Sequence, residues 1–147
     1  MNLDDALVGH WSGLPFSYGV MEASELGLLD DGRGWSAWFN ADALCVTRLL
    51  WRCPEPGVVE LHAKWSVEGP LGDGPGASPF SRVELVEPMD QVTRHRYVIE
   101  PAEPLPGADP VMAVDFEEPV EFCCQYARGS RTIGPEDDPS HLVLPHQ

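Results

Sequence analysis

His95 and Tyr97 are the side chains of this sequence best suited to acid–base chemistry. They lie two residues apart within the segment 92–100, so in an extended chain both point to the same face. An imidazole with an unperturbed pKa of about 6.5 donates or accepts a proton near neutral pH. Tyr126 supplies a second hydroxyl later in the chain, and these three residues are the candidate catalytic groups. The alternative interpretation is a buried neutral histidine that bonds a carbonyl or a tyrosine.

Patterns typical of established catalytic or metal sites are absent from the sequence. The acid pairs at 30–31, 117–118 and 137–138 fall in turns, where neighbouring carboxylates diverge and do not share a proton. There is no Gly-x-Ser-x-Gly elbow, no phosphate-binding loop and no His-Glu-x-x-His helix. Cys45, Cys53, Cys123 and Cys124 show no Cys-x-x-Cys spacing, which favours free thiols. We therefore expect no metal and no cofactor.

Charge and composition narrow the partners of the chain. Its 147 residues carry a formal net charge of −15, and such a field repels phosphate backbones and anionic lipids. We therefore expect no nucleic-acid and no membrane partner. The first six residues form no apolar signal segment, so the prediction is a cytoplasmic protein, and the arginine, glycine and proline usage is typical of a bacterial genome.

The elements that must position these side chains are strands. Between Val58 and Glu68, apolar and polar residues alternate with period two, as in a half-buried antiparallel strand. A second strand at 43–53 precedes it, and the turn Pro54–Gly57 joins the two as a hairpin. Turn signals recur every ~10–15 residues, which is typical of all-β folds. Further strands are predicted at 21–29, 34–40, 80–87, 92–100, 111–117 and 120–128.

The fold class predicted is therefore an all-β, antiparallel up-and-down barrel of about eight to ten strands, with a two-layer β-sandwich as the alternative. Residues 1–128 form the barrel domain. Residues 129–147, rich in Gly, Pro, Asp and Ser, form a flexible C-terminal tail, although its apolar segment 142–144 is suited to dock on the barrel. The strand at 43–53 has an unusually apolar outer face, which predicts either cover by the chain itself or a homodimer.

The opening of the chain resembles the calycins, the superfamily of lipocalin-like small barrels. Gly9 and Trp11 form a Gly-x-Trp motif that enters the first strand, and Arg128 ends the last predicted strand. The resemblance implies a structural role for all three: the tryptophan plugs the closed end of the barrel and the arginine lies across it. The signal peptide and disulfides of secreted lipocalins are missing. The resemblance to nitrobindins does not extend past the opening, so no haem is implied.

If a barrel closes, the alternation selects the side chains that face its interior. An eight-stranded barrel is filled by side chains or holds one small ligand, so each of these residues has core packing as its alternative role. The candidate ligand-binding residues are Thr47, Trp51, Trp65, Thr93, His95, Tyr97, Phe116, Phe122 and Tyr126.

Three functions fit this lining. The first is an intracellular binding module for a small, largely apolar molecule. The second is a cyclase or isomerase that acts on a natural-product intermediate in the same cavity. The third is a filled barrel that serves as a protein-interaction module. A cavity of ligand size distinguishes the third from the first two.

Overall fold

The described residues contain eight antiparallel strands, which follow one another in sequence order and close into a barrel. The computed structural model describes residues 3–16, 22–72 and 79–144. The strands are β1 Gly9–Ser12, β2 Glu22–Leu28, β3 Arg33–Asn40, β4 Ala43–Glu55, β5 Val58–Pro70, β6 Leu85–Ala102, β7 Val111–Val120 and β8 Cys123–Arg128. The prediction of an all-β up-and-down barrel is confirmed, because the strands form one ring and not two layers. Parts of the glycine-rich loop (73–78) and of the tail (145–147) lie outside the described residues.

In the part of the chain that the structure describes, helix occurs only as single turns. Short 3₁₀ turns occupy Asp5–Leu7, Leu14–Phe16 and Pro135–Asp137. In the described ranges no helix has the length and apolar character needed to cross a lipid bilayer.

One end of the barrel is packed solid around Trp11, which is fully buried. The Trp11 indole donates to the Leu7 carbonyl at 2.8 Å, and the Arg128 guanidinium lies over the indole ring, 4.1 Å from its centroid. Arg128 also donates to the carbonyls of Val8 and Ala6. Gly9 adopts φ +129°, and a side chain there would collide with the backbone carbonyl of Ser130. These contacts tie β1, β8 and the N-terminal turn into one closed end.

A β-bulge in β5 reverses the inward and outward order of the side chains in the second half of the strand. Leu49 pairs with Ala63, but the next β4 residue, Arg48, pairs with Trp65, so Lys64 is an extra residue in the strand. Trp65 therefore lies on the outer face, next to a cluster that includes Trp35 and Val46. The prediction that Trp65 faces the interior is wrong, because strict alternation does not survive a bulge.

The segment after β8 lies against this outer face. The Arg48 guanidinium donates to Asp138 and to Ser140, both at 2.9 Å, and Asp138, Ser140 and Leu144 are buried. Leu144 packs in the same outer cluster as Trp35 and Val46. Of the apolar segment 142–144 that was suited to dock, Val143 and Leu144 pack against the outer cluster, whereas Leu142 and Leu50 of β4 are exposed. The cover is intramolecular, which was one of the two outcomes expected for that face.

Candidate functional site

The wall of the barrel is incomplete between β6 and β7. β6 pairs with β5 from Leu85 to Arg96, whereas β7 pairs with β6 only from Tyr97 to Ala102. The Tyr97 amide donates to Gly57 on the β5 side at 3.0 Å. Amides alternate between the two edges of an antiparallel strand, so the amides of residues 92, 94 and 96 face the opposite edge of β6, where β7 no longer pairs with it. Within the described residues no strand pairs with this edge, and it forms a lateral opening.

A cavity of about 360 Å³ lies inside this opening. Its lining is half apolar and half polar. The apolar side chains are Leu49, Leu61, Ala63, Met89, Pro119 and Val120. The polar side chains are Ser36, Thr47, Gln91, Thr93, His95 and Glu121. The volume falls in the range of small-ligand pockets, which runs from about 300 to 1,000 Å³.

His95 is the most constrained polar group of the lining. Its side chain is 9% exposed and its ring stands edge-on to Phe116, with centroids 6.0 Å apart. Nε2 lies 3.0 Å from the Thr93 hydroxyl, but Nδ1 is buried without a hydrogen-bond partner in the described part of the chain. Burial lowers the pKa of His95. The Glu118 backbone, which lies within reach of the ring, and the negative charge of Glu118 raise the pKa by a smaller amount. The imidazole is therefore neutral at pH 7.

Glu121 reaches into the cavity from the turn between β7 and β8. It holds φ 57°, the one left-handed non-glycine residue in the described ranges, and its Oε1 accepts a hydrogen bond from the Ser36 hydroxyl at 2.6 Å. Next to it, the thiol of Cys45 lies 3.5 Å from Oε1 of Glu68. Burial, followed by the charges of Glu68 and Glu121, raises the pKa of Cys45 to about 12. This mouth of the barrel is therefore strongly negative.

A groove of about 510 Å³ adjoins the cavity and shares Glu121 with it. Trp38 and Phe122 line the groove, and their rings meet edge to face with centroids 5.5 Å apart. Phe122 is 71% exposed because the chain turns at Glu121 and Phe122 to begin β8. The prediction that Phe122 points into the barrel is wrong, since its strand begins one residue later, at Cys123.

Of the predicted interior residues, three line the cavity and four belong to the packed half of the barrel. Thr47, Thr93 and His95 are in the lining. The core residues are Trp51, Tyr97, Phe116 and Tyr126. The polar ends of the two tyrosines are already bonded, Tyr97 to the Asp4 carboxylate and Tyr126 to the Val120 carbonyl, both at 2.5 Å. The pKa of each tyrosine is raised far above its usual range, mainly by burial of the hydroxyl.

Sequence patterns did not identify Ser36, Gln91 or Glu121 as lining residues. Glu121 is one of many glutamates, and its position depends on a left-handed turn that alternation does not signal. Ser36 lies in a strand that was predicted, but its neighbours across the barrel were unknown.

No family model, curated protein or solved structure matches the chain. In the described residues, no three His, Cys, Asp or Glu side chains form a group able to hold a metal ion.

Proposed function

We propose that this protein binds a small molecule inside the barrel. The observation that carries the proposal is a ligand-sized cavity whose lining combines six apolar with six polar side chains. A ligand whose polar group bonds these polar side chains would compensate for the water that it displaces.

The lining supports a ligand with an apolar body and a polar group. Leu49, Leu61 and Ala63 offer an aliphatic surface, whereas His95 and Glu121 offer hydrogen bonds. A purely apolar ligand would leave these polar groups desolvated and unpaired. The largely apolar ligand expected from the sequence is accordingly refined to an amphipathic one. The unpaired edge of β6 provides the entry path.

Binding has more support than catalysis. The candidate catalytic groups of a cyclase or isomerase in this cavity are His95, Tyr97 and Tyr126. Both tyrosine hydroxyls already donate hydrogen bonds to other groups of the protein. His95 alone remains as a neutral acid or base. A filled barrel acting as an interaction module has less support, because about 360 Å³ of the interior is open. A homodimer and a cytoplasmic location stay predictions.

A calycin-type relationship belongs to the same proposal. The support is the contact of Arg128 with the indole of Trp11 at one end of the barrel.

A cavity-filling variant tests binding. Native mass spectrometry and a ligand-observed NMR screen of small amphipathic compounds would compare the wild type with Ala63→Phe, in which a phenyl ring occupies the cavity. Ala108→Phe is the control, since Ala108 lies in the loop between β6 and β7 and is not part of the lining. We expect ligands that bind the wild type and the control but not Ala63→Phe. Equal binding to all three, or binding to none, contradicts the proposal.

A further inference from the structure

We infer that the molecule bound in the barrel is a short peptide in extended conformation, which adds as a strand to the open edge of β6 and places aliphatic side chains in the cavity. The inference rests on the proposed function, because it assigns the chemical class of the ligand of the same cavity.

The open edge of β6 presents backbone hydrogen-bonding groups with the spacing of a strand. The N–H and the C=O of one residue in an antiparallel strand point to the same edge, so Val92 and Arg94 direct both groups toward the opening. β7 pairs with β6 only from Tyr97 onward, and no other strand of the described residues takes its place. These groups recur about every 7 Å along the edge. An extended peptide is a ligand whose own donors and acceptors have the same repeat.

Exposed apolar side chains accompany this edge. Leu85, Val86 and Val92 are exposed, and all three belong to the part of β6 that β7 leaves unpaired. An exposed edge strand with apolar side chains is a template for pairing with another chain. Water satisfies the free backbone groups, but only a covering chain removes the apolar side chains from water. The edge therefore favours a peptide over solvent.

The cavity lies directly behind the same edge. Gln91, Thr93 and His95 alternate with the residues whose amides face the opening, and all three line the cavity. The opposite rim contains Pro119 and Glu121, from the end of β7 and the turn after it. A strand added to β6 would point every second side chain into the cavity and the others to solvent. The mixed lining suits an aliphatic side chain carried on an amide backbone.

A peptide fits this edge better than a second copy of the chain. Each copy carries a formal net charge of −15, so two copies repel each other. A second copy would also bring a whole barrel up to the opening, whereas a peptide needs only the width of one strand, about 4.8 Å.

Methylation of single amide nitrogens in a probe peptide tests strand addition. The probe is acetyl-Thr-Val-Thr-Val-Thr-amide, which is neutral and alternates hydroxyl with aliphatic side chains. Titration calorimetry at pH 7 would compare it with two probes that carry one N-methyl group, at the second or at the third residue. Alternate amides of an added strand face β6, so we expect one of the two probes to bind at least tenfold more weakly and the other to match the parent. Equal effects of the two methyl groups overturn the inference.

Amide exchange by NMR locates the bound peptide. We expect the Val92 and Arg94 amides to exchange at least tenfold more slowly when the probe is bound, because they then donate to its carbonyls. The Thr93 amide faces β5, and its exchange is expected to stay slow with and without the probe. Binding that leaves Val92 and Arg94 unprotected overturns the inference.

A proline at the open edge tests the same contact from the side of the protein. Arg94→Pro removes one free amide and obstructs an added strand, whereas the ladder to β5 keeps its hydrogen bonds. Arg94→Ala is the matched control, since it loses the same side chain but keeps the amide. Circular dichroism would show that both variants fold, and the N-methylated probes decide the question on the wild type if Arg94→Pro does not. We expect Arg94→Pro to bind the probe at least tenfold more weakly than Arg94→Ala, and equal affinities overturn the inference.

The outcomes separate the two proposals. If the probe does not bind, but amphipathic compounds bind the wild type and not Ala63→Phe, the peptide inference is overturned and the binding function stands. Equal binding of the probe to Ala63→Phe and to the wild type also overturns it, because the side chains of the peptide would then lie outside the cavity. A dimer in sedimentation that protects Val92 without the probe overturns it in favour of a second copy. If neither the probe nor any screened compound binds, both proposals fail.

Discussion

Replacing Arg128 by alanine is expected to destabilise the closed end of the barrel by about 3 kcal/mol. The guanidinium lies 4.1 Å from the centre of the Trp11 ring, and a partly desolvated cation–π contact contributes about 1 kcal/mol. Its two hydrogen bonds to the carbonyls of Val8 and Ala6 add about 1 kcal/mol each after a discount for the partly exposed side chain. In Arg128→Ala these carbonyls lose their donor while Trp11 stays buried.

Urea unfolding followed by tryptophan fluorescence measures this loss. With a typical slope of about 1.5–3 kcal/mol per molar urea, the midpoint falls by about 1–2 M. Arg128→Lys is expected to recover about a third of the loss, because an ammonium keeps the charge but not the planar fork. Arg94→Ala is the control, since its ion pair with Glu60 is exposed and contributes under about 1 kcal/mol. The reasoning is refuted if Arg128→Ala costs no more than Arg94→Ala.

Three further predictions follow from the corrected positions of side chains and strands. Phe122→Ala is expected to change the free energy of unfolding by less than about 0.5 kcal/mol, whereas Phe116→Ala, in the core, costs about 3–5 kcal/mol; similar losses would contradict the placement of Phe122. Amide exchange by NMR is expected to be fast at Val92 and slow at Thr93, and equal protection would mean that the β6 edge is covered. Cys45, with its pKa raised to about 12, is expected to react with iodoacetamide at pH 8 roughly a thousandfold more slowly than free cysteine, and a rate near that of free cysteine would contradict the burial and the neighbouring charges assigned to this thiol.

The class of fold was readable from the sequence because period-two alternation and turn residues are local properties. The hairpin of β4 and β5 and the inward direction of His95 both follow from alternation alone. Pro88 was expected to end a strand, but β6 runs through it. Proline is tolerated where its missing amide faces no partner strand, and β6 lacks a partner on one edge there.

The predictions for Trp65 and Phe122 were wrong because a bulge or a turn interrupted the inward and outward alternation of side chains along the strand. The extra residue at Lys64 moved Trp65 to the outer face, and the turn at Glu121 placed Phe122 at a hairpin tip. The cavity itself was not predictable from patterns, because it exists where β7 leaves β6. That departure is set by packing between residues distant in sequence. The same holds for the ion pair of Arg48 with Asp138, which are 90 residues apart.

A crystal structure of the protein tests most directly whether the barrel interior is open. We expect the space bounded by Leu61, Thr93 and Glu121 to hold only solvent or a bound small molecule. Pairing of β7 with β6 as far as Val92, with side chains filling that space, would contradict this expectation.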